Sequence, residues 1–462
     1  MNQPAVGLLF HDDDPKPSQL STIKKEFRVP SGKKGVAISA VGNFIPPAVG
    51  LATAPILATA LGPTGRGELA AVTTALVLTV SISSLGLPQA LIYFSARKGR
   101  DHRQLVFKIT AALGIIGLMA TACLYSLSET LSGGNVQLAR LISYAGFAIS
   151  PALILASLRG VASGVQAWTL VAGEKLISSG LRLTAIVVAY NLSLLTVENA
   201  TFIVAVTTFI GILAYFPLPR LVRSHTSAVE MEPTWREIMP LSATFWIGVA
   251  TGALLARIDQ ILLLPLAGAE ELGIYAVAVS ISEMALLFNY AVNAVINARE
   301  AHRPDIESLA MAARISSLVT GFGCVALGTL CIWAVPFLFG QNFSDVVPTV
   351  WILLAGIAFG NAGTVVGSGL NGRGRPGLRS TSLSIALAAN IGCLFLLAPL
   401  WGAIGAAIST TIASIVFAVI NFLIFQRTYQ VKATNFLGIR KEDLKFLFQA
   451  LALHKKRQKL PV

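Results

Sequence analysis

Between Arg379 and Arg427 the chain carries no charge at all. A stretch that long holds two apolar helices of about 20 residues, the length that crosses a bilayer core. Comparable windows recur upstream, and together they predict twelve transmembrane helices. Their starts fall near Gly35, Glu68, Leu105, Leu138, Leu170, Ala200, Ile238, Gly273, Leu309, Val346, Thr381 and Ala403. Only 12% of the 462 residues are charged, against roughly a quarter in a soluble domain, and mean hydropathy is +0.71. The expected fold class is therefore an all-α polytopic membrane protein, with connections too short to hold a soluble catalytic domain.

The formal net charge is +13. In a soluble protein that excess would suggest nucleic acid; in a membrane protein, cation position reports orientation. With both termini cytoplasmic, all but four of the 35 Lys and Arg fall in cytoplasmic segments. The exceptions are Arg66 and Arg140 outside, and Arg182 and Arg257 within spans. This regularity predicts a cytoplasmic tail over 1–34, six helices over 35–222, a cytoplasmic linker over 223–237, six more helices over 238–426, and a basic cytoplasmic tail over 427–462. No apolar stretch precedes residue 35 to act as a cleavable signal, so the first span is expected to serve as an uncleaved anchor. In the last tail, Leu444, Leu447, Phe448 and Leu451 recur at helical spacing before a basic cluster, as in a helix lying on anionic lipid or against a partner.

The halves repeat. LGPTGRGELAAVTTA from Leu61 aligns with AGAEELGIYAVAVSI from Ala267, placing Gly62 over Gly268 and Gly67 over Gly273 at an offset of 206 residues. Six helices per half is an even number, so the two units share one orientation, as parallel repeats about an axis along the membrane normal.

Four segments carry a family resemblance. They are LATALGPTGRGELAAVTTALVLTVSISSLGLPQALIYF (Leu57 to Phe94), RIDQILLLPLAGAEELGIYAVAVSISEM (Arg257 to Met284), LNGRGRPGLRS (Leu370 to Ser380) and ANIGCLFLLAPLWGAIGAAISTTIAS (Ala389 to Ser414). In collinear order they resemble the polysaccharide transporters, the oligosaccharide-lipid branch of the multidrug/oligosaccharidyl-lipid/polysaccharide flippase superfamily. The resemblance implies two six-helix lobes forming a V around a central cavity, and alternating access that carries a polyprenyl-diphosphate-linked oligosaccharide outward across a bacterial inner membrane.

Charges within spans are the first candidates for function because each costs about 2.5–3.5 kcal/mol to insert. Lys175, Ser178, Ser179 and Arg182 share one helical face, a polar stripe expected to face a water-filled cavity. There Lys175 and Arg182 would draw in a diphosphate. The competing reading has Lys175 snorkelling to headgroups and Arg182 paired with Glu174 or Glu283. Arg257 would line the cavity. Asp259 reads either as an ion-coupling group or as a lobe-to-lobe or helix-end salt bridge, and Glu283 either as a proton or cation site or as a charge partner for Arg182 or Arg257.

Asn43, Asn293, Asn297 and Asn390 would meet sugar hydroxyls or bridge helices, and the small residues of the last two spans read as packing faces. Pro46 and Pro47 should kink the first helix, and Arg66 reads as a solvated turn residue. Asn191, Asn199 and Asn342 match a glycosylation tripeptide to which no glycan is assigned.

Four isolated Cys, five His outside the apolar stretches, and the lack of a Walker A sequence or nucleophile elbow suggest no metal, cofactor or enzyme chemistry. The expected partners are the lipid-linked substrate, membrane lipids, a coupling proton or sodium ion, and the polymerase and glycosyltransferases of a polysaccharide pathway, with no nucleic acid. The rival reading is a multidrug or metabolite cation antiporter of the same superfamily. A membrane glycosyltransferase or polymerase would need a large loop that the chain lacks.

Overall fold

The computed structural model describes residues 33–96, 103–218, 233–302 and 304–438, with 440 and 443. The amphipathic pattern after Asp443, the 223–237 linker up to residue 232 and most of the first tail lie outside these. Among the described residues there are helices and no strand. The helices are α1 Lys33–Ser83, α2 Leu87–Ser95, α3 Arg103–Leu131, α4 Val136–Gly146, α5 Ile149–Gly164, α6 Trp168–Asn191, α7 Val197–Ile210, α8 Trp235–Ala267, α9 Ala269–His302, α10 Ile306–Phe339, α11 Val346–Gly372 and α12 Pro376–Tyr429. Among the described residues eight segments are long and apolar enough to cross a membrane, with α4 and α5 acting in line as one. Missing from those eight is α6, which is long enough but carries Glu174, Lys175 and Arg182.

Two of the eight are broken. In α1 the break is Gly62 (φ 67°, ψ −179°), and Pro63 opens the second arm. Positive φ is open to glycine, and a proline in the first helical turn sacrifices an N–H that would be unpaired anyway. Pro46 and Pro47, expected to kink this helix, lie within its first arm, and Gly62 is where the backbone leaves the helical region. The second break is Gly402 (φ 52°) in α12. A Cβ on Gly405 would meet the Leu397 carbonyl, residues that a straight helix would hold two turns apart, so the chain folds back there. Glu271 seals this turn by accepting from the Ala403 N–H at 2.7 Å, an acid at a helix N-terminus.

The offset of 206 residues reappears in the backbone. Gly268 (φ 91°, ψ 174°) repeats the Gly62 conformation, and Gly340 (φ 88°) repeats Gly134 (φ 86°). The equivalent residues also meet. A Cβ on Gly67 would fall on the Ala269 carbonyl, and one on Gly273 on the Pro63 carbonyl. Since 63 and 269 are themselves equivalent, the two helices cross about a local two-fold axis.

Below this crossing the halves stay in contact. Thr74 donates to Gln260 at 2.7 Å in full burial. Leu85 and Gly86, both at positive φ, interrupt the helix between α1 and α2, and Trp246 of α8 donates its indole N–H to the Ile82 carbonyl at 2.7 Å. Non-helical backbone at this depth requires such protein partners. One apolar core, including Leu76, Leu153, Leu263, Tyr275 and Leu394, runs through both halves. The packing face expected in the last two spans has its glycines elsewhere. Gly356, Gly360 and Gly363 of α11 receive Thr411, Ser414 and Ala418 of the second α12 arm, a small-residue crossing.

At the end of the bundle that carries the start of the last tail, cations first read as orientation signals form buried pairs. Arg373 holds Glu300 at 2.6 Å, both almost fully buried, and its guanidinium lies over Phe425 and Tyr429. Arg314 grips Asp443 through two bonds of 2.6 and 2.7 Å and donates a third to the Asn435 carbonyl. Phe436 packs beside Phe422 and Phe425, so the start of the last tail is docked. The Arg314 guanidinium holds the Asp443 carboxyl below the usual carboxylate range. Its contribution is complete above the ordinary value of about 3.9 and disappears as pH falls through the lowered one. Removing one partner of such a buried pair costs about 3–5 kcal/mol. Asp443→Asn should therefore expose the tail to limited proteolysis at neutral pH. Cleavage no faster than in the unaltered protein would count against the clasp.

Candidate functional site

The charged groups expected in the first half are brought together by α5, α6 and α7, with a revised set of pairings. Glu174, the acid proposed for Arg182, is buried and taken by Arg159 of α5 through two bonds of 2.9 Å. Tyr215, in the 3-10 turn Gly211–Tyr215 after α7, donates to the same carboxylate at 3.2 Å. Arg159, counted among the cations that follow the fourth span, lies inside α5, and its guanidinium fork closes the pair. Gly211 makes this possible, since a Cβ there would meet Ser178 Oγ at the Glu174 face.

Arg182 donates to two hydroxyls, Thr207 at 3.1 Å and Thr208 at 3.2 Å. Among the described residues no acid pairs with it. The stripe of Lys175, Ser178, Ser179 and Arg182 thus faces α7 and its 3-10 turn more than open water: Ser179 is buried, and Ser178 Oγ is buried without a partner. Lys175 reaches across to α1 and donates to Asn43, so two candidates from distant sequence meet. It too has no acid in direct contact among the described residues. Arg66, read as solvated, has its Nε buried without a partner.

In the second half Arg257 pairs with Glu283 at 2.9 Å, both side chains partly exposed. Glu283 is therefore the partner of Arg257 and not of Arg182. Asp259 is neither a lobe-to-lobe nor a helix-end salt bridge. It is 2% exposed and accepts from the Gln260 N–H at 2.8 Å, from Thr410 at 3.0 Å and from the Tyr275 hydroxyl. All of these lie in the second half.

Beside it is a cavity of about 290 Å³ between α8, α9, α11 and α12. Asn289 and Asn361 bond each other along its wall, and Asn361 goes on to Ser316 at 3.0 Å. Asn293 joins this chain by donating to Asn289. The side chain of Asn297 lies outside the described residues.

The sequence reading missed Arg159, Tyr215, Tyr275 and Thr410. Tyr275 had a legible signal: it follows the Gly268 turn by about as many residues as Asp259 precedes it, which sets the two level in a helical hairpin. Thr410 had none, because its contact depends on how α12 packs. The resulting electrostatics are uneven. Among the described residues of the site, Lys175 and Arg182 in the first half have no acid in contact, whereas the second half holds the balanced Arg257–Glu283 pair and a buried Asp259 carboxyl supplied by three donors.

A family model described as "Polysaccharide biosynthesis protein" matches residues 33–297. No curated protein matches the sequence. Among solved structures, the lipid II flippase MurJ in an inward closed conformation superposes with a TM-score of 0.69 at 13% identity, over 90% of this chain and 93% of that one. An inward-facing multidrug resistance MATE family transporter of the MOP superfamily gives 0.66 at 15% identity, over 85% and 98%. A MOP superfamily transporter from Pyrococcus furiosus, described by the reverse polarity of its binding pocket, gives 0.57 at 14% identity, over 85% and 94%. The chain has the helical membrane fold of MurJ and the MATE transporters.

Proposed function

The chain belongs to the polysaccharide biosynthesis protein family, and from that membership together with the charges of its first half we propose that it is a flippase for a polyprenyl-diphosphate-linked oligosaccharide. The observation that carries the reading is Arg182, a cation on a membrane helix bonded to two threonine hydroxyls with no acid beside it among the described residues. Such a charge suits an anionic ligand, and a guanidinium fork suits phosphate oxygens. Lys175 with Asn43 would form the second contact, with the partly exposed Arg257 continuing the path for the headgroup while the lipid tail stays in the bilayer.

The arrangement proposed has twelve passes, obtained by counting each arm of α1 and α12 and adding the charged α6 and α9. They would form lobes over 35–222 and 238–426 around a central cavity, rocking between inward-open and outward-open states, with 1–34, 223–237 and 427–462 on the cytoplasmic side of a bacterial inner membrane. Membrane potential supplies about 2.3 kcal/mol per charge per 100 mV. Asp259 is the group we assign to coupling by a proton or sodium ion. Glycosyltransferases would supply the substrate and a polymerase would consume it.

Deleting the gene should leave lipid-linked oligosaccharide on the cytoplasmic face, detected as loss of the fraction that an external glycosidase can reach, with drug sensitivity unchanged. The second reading, a cation antiporter, is favoured by the likeness to MATE transporters and by buried Asp259. Unchanged lipid-linked sugar with heightened drug sensitivity would establish it instead.

A further inference from the structure

The cavity in the second half contains hydrogen-bonding capacity that the fold leaves unspent. Asn390, on the first arm of α12, is 0% exposed, and both its Oδ1 and its Nδ2 lack partners; Ser282 Oγ on α9 is buried in the same condition. Both line the cavity. Unpaired buried groups of this kind are uncommon and costly. The other buried polar side chains of the wall are supplied: Asp259 by three donors, Asn361 by its two serines and Asn289, and Asn289 by Asn361 and Thr364.

The chemistry of the unspent atoms selects the ligand. A metal cation would bind Asn390 Oδ1 and Ser282 Oγ but leave the two Nδ2 donors unused. An anion would use those donors and then face Asp259 and Glu283. A neutral group that both donates and accepts matches an amide and a hydroxyl without adding charge beside Asp259 and Glu283, as a sugar hydroxyl pair or an acetamido group does.

Size and wall agree. About 290 Å³ lies at the lower end of small-molecule sites, roughly 300–1,000 Å³, which is room for one ring. Leu286, Ile357 and Phe417 offer apolar surface for its C–H face. The mouth is marked by Tyr290, 58% exposed, and by Glu283, held by Arg257.

We propose that this cavity is a recognition pocket for a single neutral sugar ring, read by Asn390 and Ser282. The inference rests on the flippase reading for its source, namely one ring of the carried headgroup, and places sugar selection in the half opposite the cations that would hold the diphosphate.

The test is saturation-transfer NMR on the purified full chain in nanodiscs, with N-acetylglucosamine and glucose as probes, in choline chloride and in sodium chloride. Wild type should transfer saturation to at least one sugar's ring protons in both salts. Asn390→Leu, close in volume but without donor or acceptor, should weaken that binding by at least about tenfold, and it should raise thermal stability in the absence of sugar because an unpaired amide is gone. Should that variant fail to fold, Ser282→Ala gives the same NMR reading.

No saturation of either sugar in wild type overturns the proposal, as does undiminished saturation in the folded variants. Stabilisation by sodium chloride alone, lost in Asn390→Leu, overturns it in favour of a cation site. Transport is scored separately on wild type. A protein that binds sugar but flips no lipid-linked oligosaccharide sinks the flippase reading and leaves the pocket, whereas one that flips it but binds no sugar sinks only the pocket.

Discussion

Replacing Arg182 with glutamine should abolish delivery of lipid-linked oligosaccharide to the outer face while leaving the protein in the membrane at normal abundance. The two halves of that expectation come from the same geometry. Arg182 bonds Thr207 and Thr208, and those hydroxyls also donate to backbone carbonyls of their own helix, Ile203 and Val204. Losing the guanidinium strands neither of them. A cation held at this depth costs about 2.5–3.5 kcal/mol on insertion scales, so its removal should relieve the fold.

The contrast is Arg159. Arg159→Gln leaves Glu174 as a buried carboxylate with Tyr215 alone, and breaking a pair of that kind costs about 3–5 kcal/mol; abundance should fall with activity. Arg182→Lys keeps the charge but loses the fork, and should retain a fraction of transport. Quantitative membrane blots beside the external glycosidase assay separate these cases. Full transport by Arg182→Gln would reduce Arg182 to a link between α6 and α7.

The spacing of apolar windows and glycines made the helices legible: the run from Arg379 to Arg427 reads as two helices, and Gly402 divides it in the structure. The repeat was legible because Gly62 and Gly268 each need a backbone conformation that few other residues adopt. Partner choice among charges was not legible. Glu174 sits beside Lys175 in sequence and one face away from Arg182, yet its carboxylate goes to Arg159, because Gly211 lets the 3-10 turn approach and directs Tyr215 onto the same oxygen. Cations counted as orientation signals, Arg159, Arg314 and Arg373, turned out to hold buried acids as well. The rule that sorts cations by side says nothing of what each one touches. Asn390 had no sequence signal separating it from the bridging amides Asn289 and Asn361, since all three lie in apolar helices and differ only in whether a neighbour arrives.

Gly67→Ala and Gly273→Ala should each lower thermal stability, and by similar amounts. A Cβ at either position lands on the carbonyl of its partner's turn, Ala269 for the first and Pro63 for the second, with the facing glycine nitrogen at 2.9 or 3.1 Å. Backbone cannot rotate away as a side chain can, so relief requires the helices to part. Overpacking of this kind costs about 1–3 kcal/mol. The two sites press on one crossing, so the first substitution already opens the space that the second needs, and the double variant should lose less than the sum of the singles.

Gly321 of α10 supplies the control. Nothing lies within 4 Å of its missing Cβ, so alanine there should be neutral or stabilising by up to about 1 kcal/mol through helix propensity. Thermal aggregation of the four variants in one detergent decides the matter. Strict additivity would mean that the two glycines act at separate places, and a Gly67→Ala as harmless as Gly321→Ala would mean that the crossing is loose. On the proposed reading the crossing joins the external turns of the two halves, so whatever parts it there would also open the exit face for the headgroup. The same variants should therefore shift the protein toward its outward-open form, read as faster labelling of a cysteine placed at Thr64, an exposed position beside the contact.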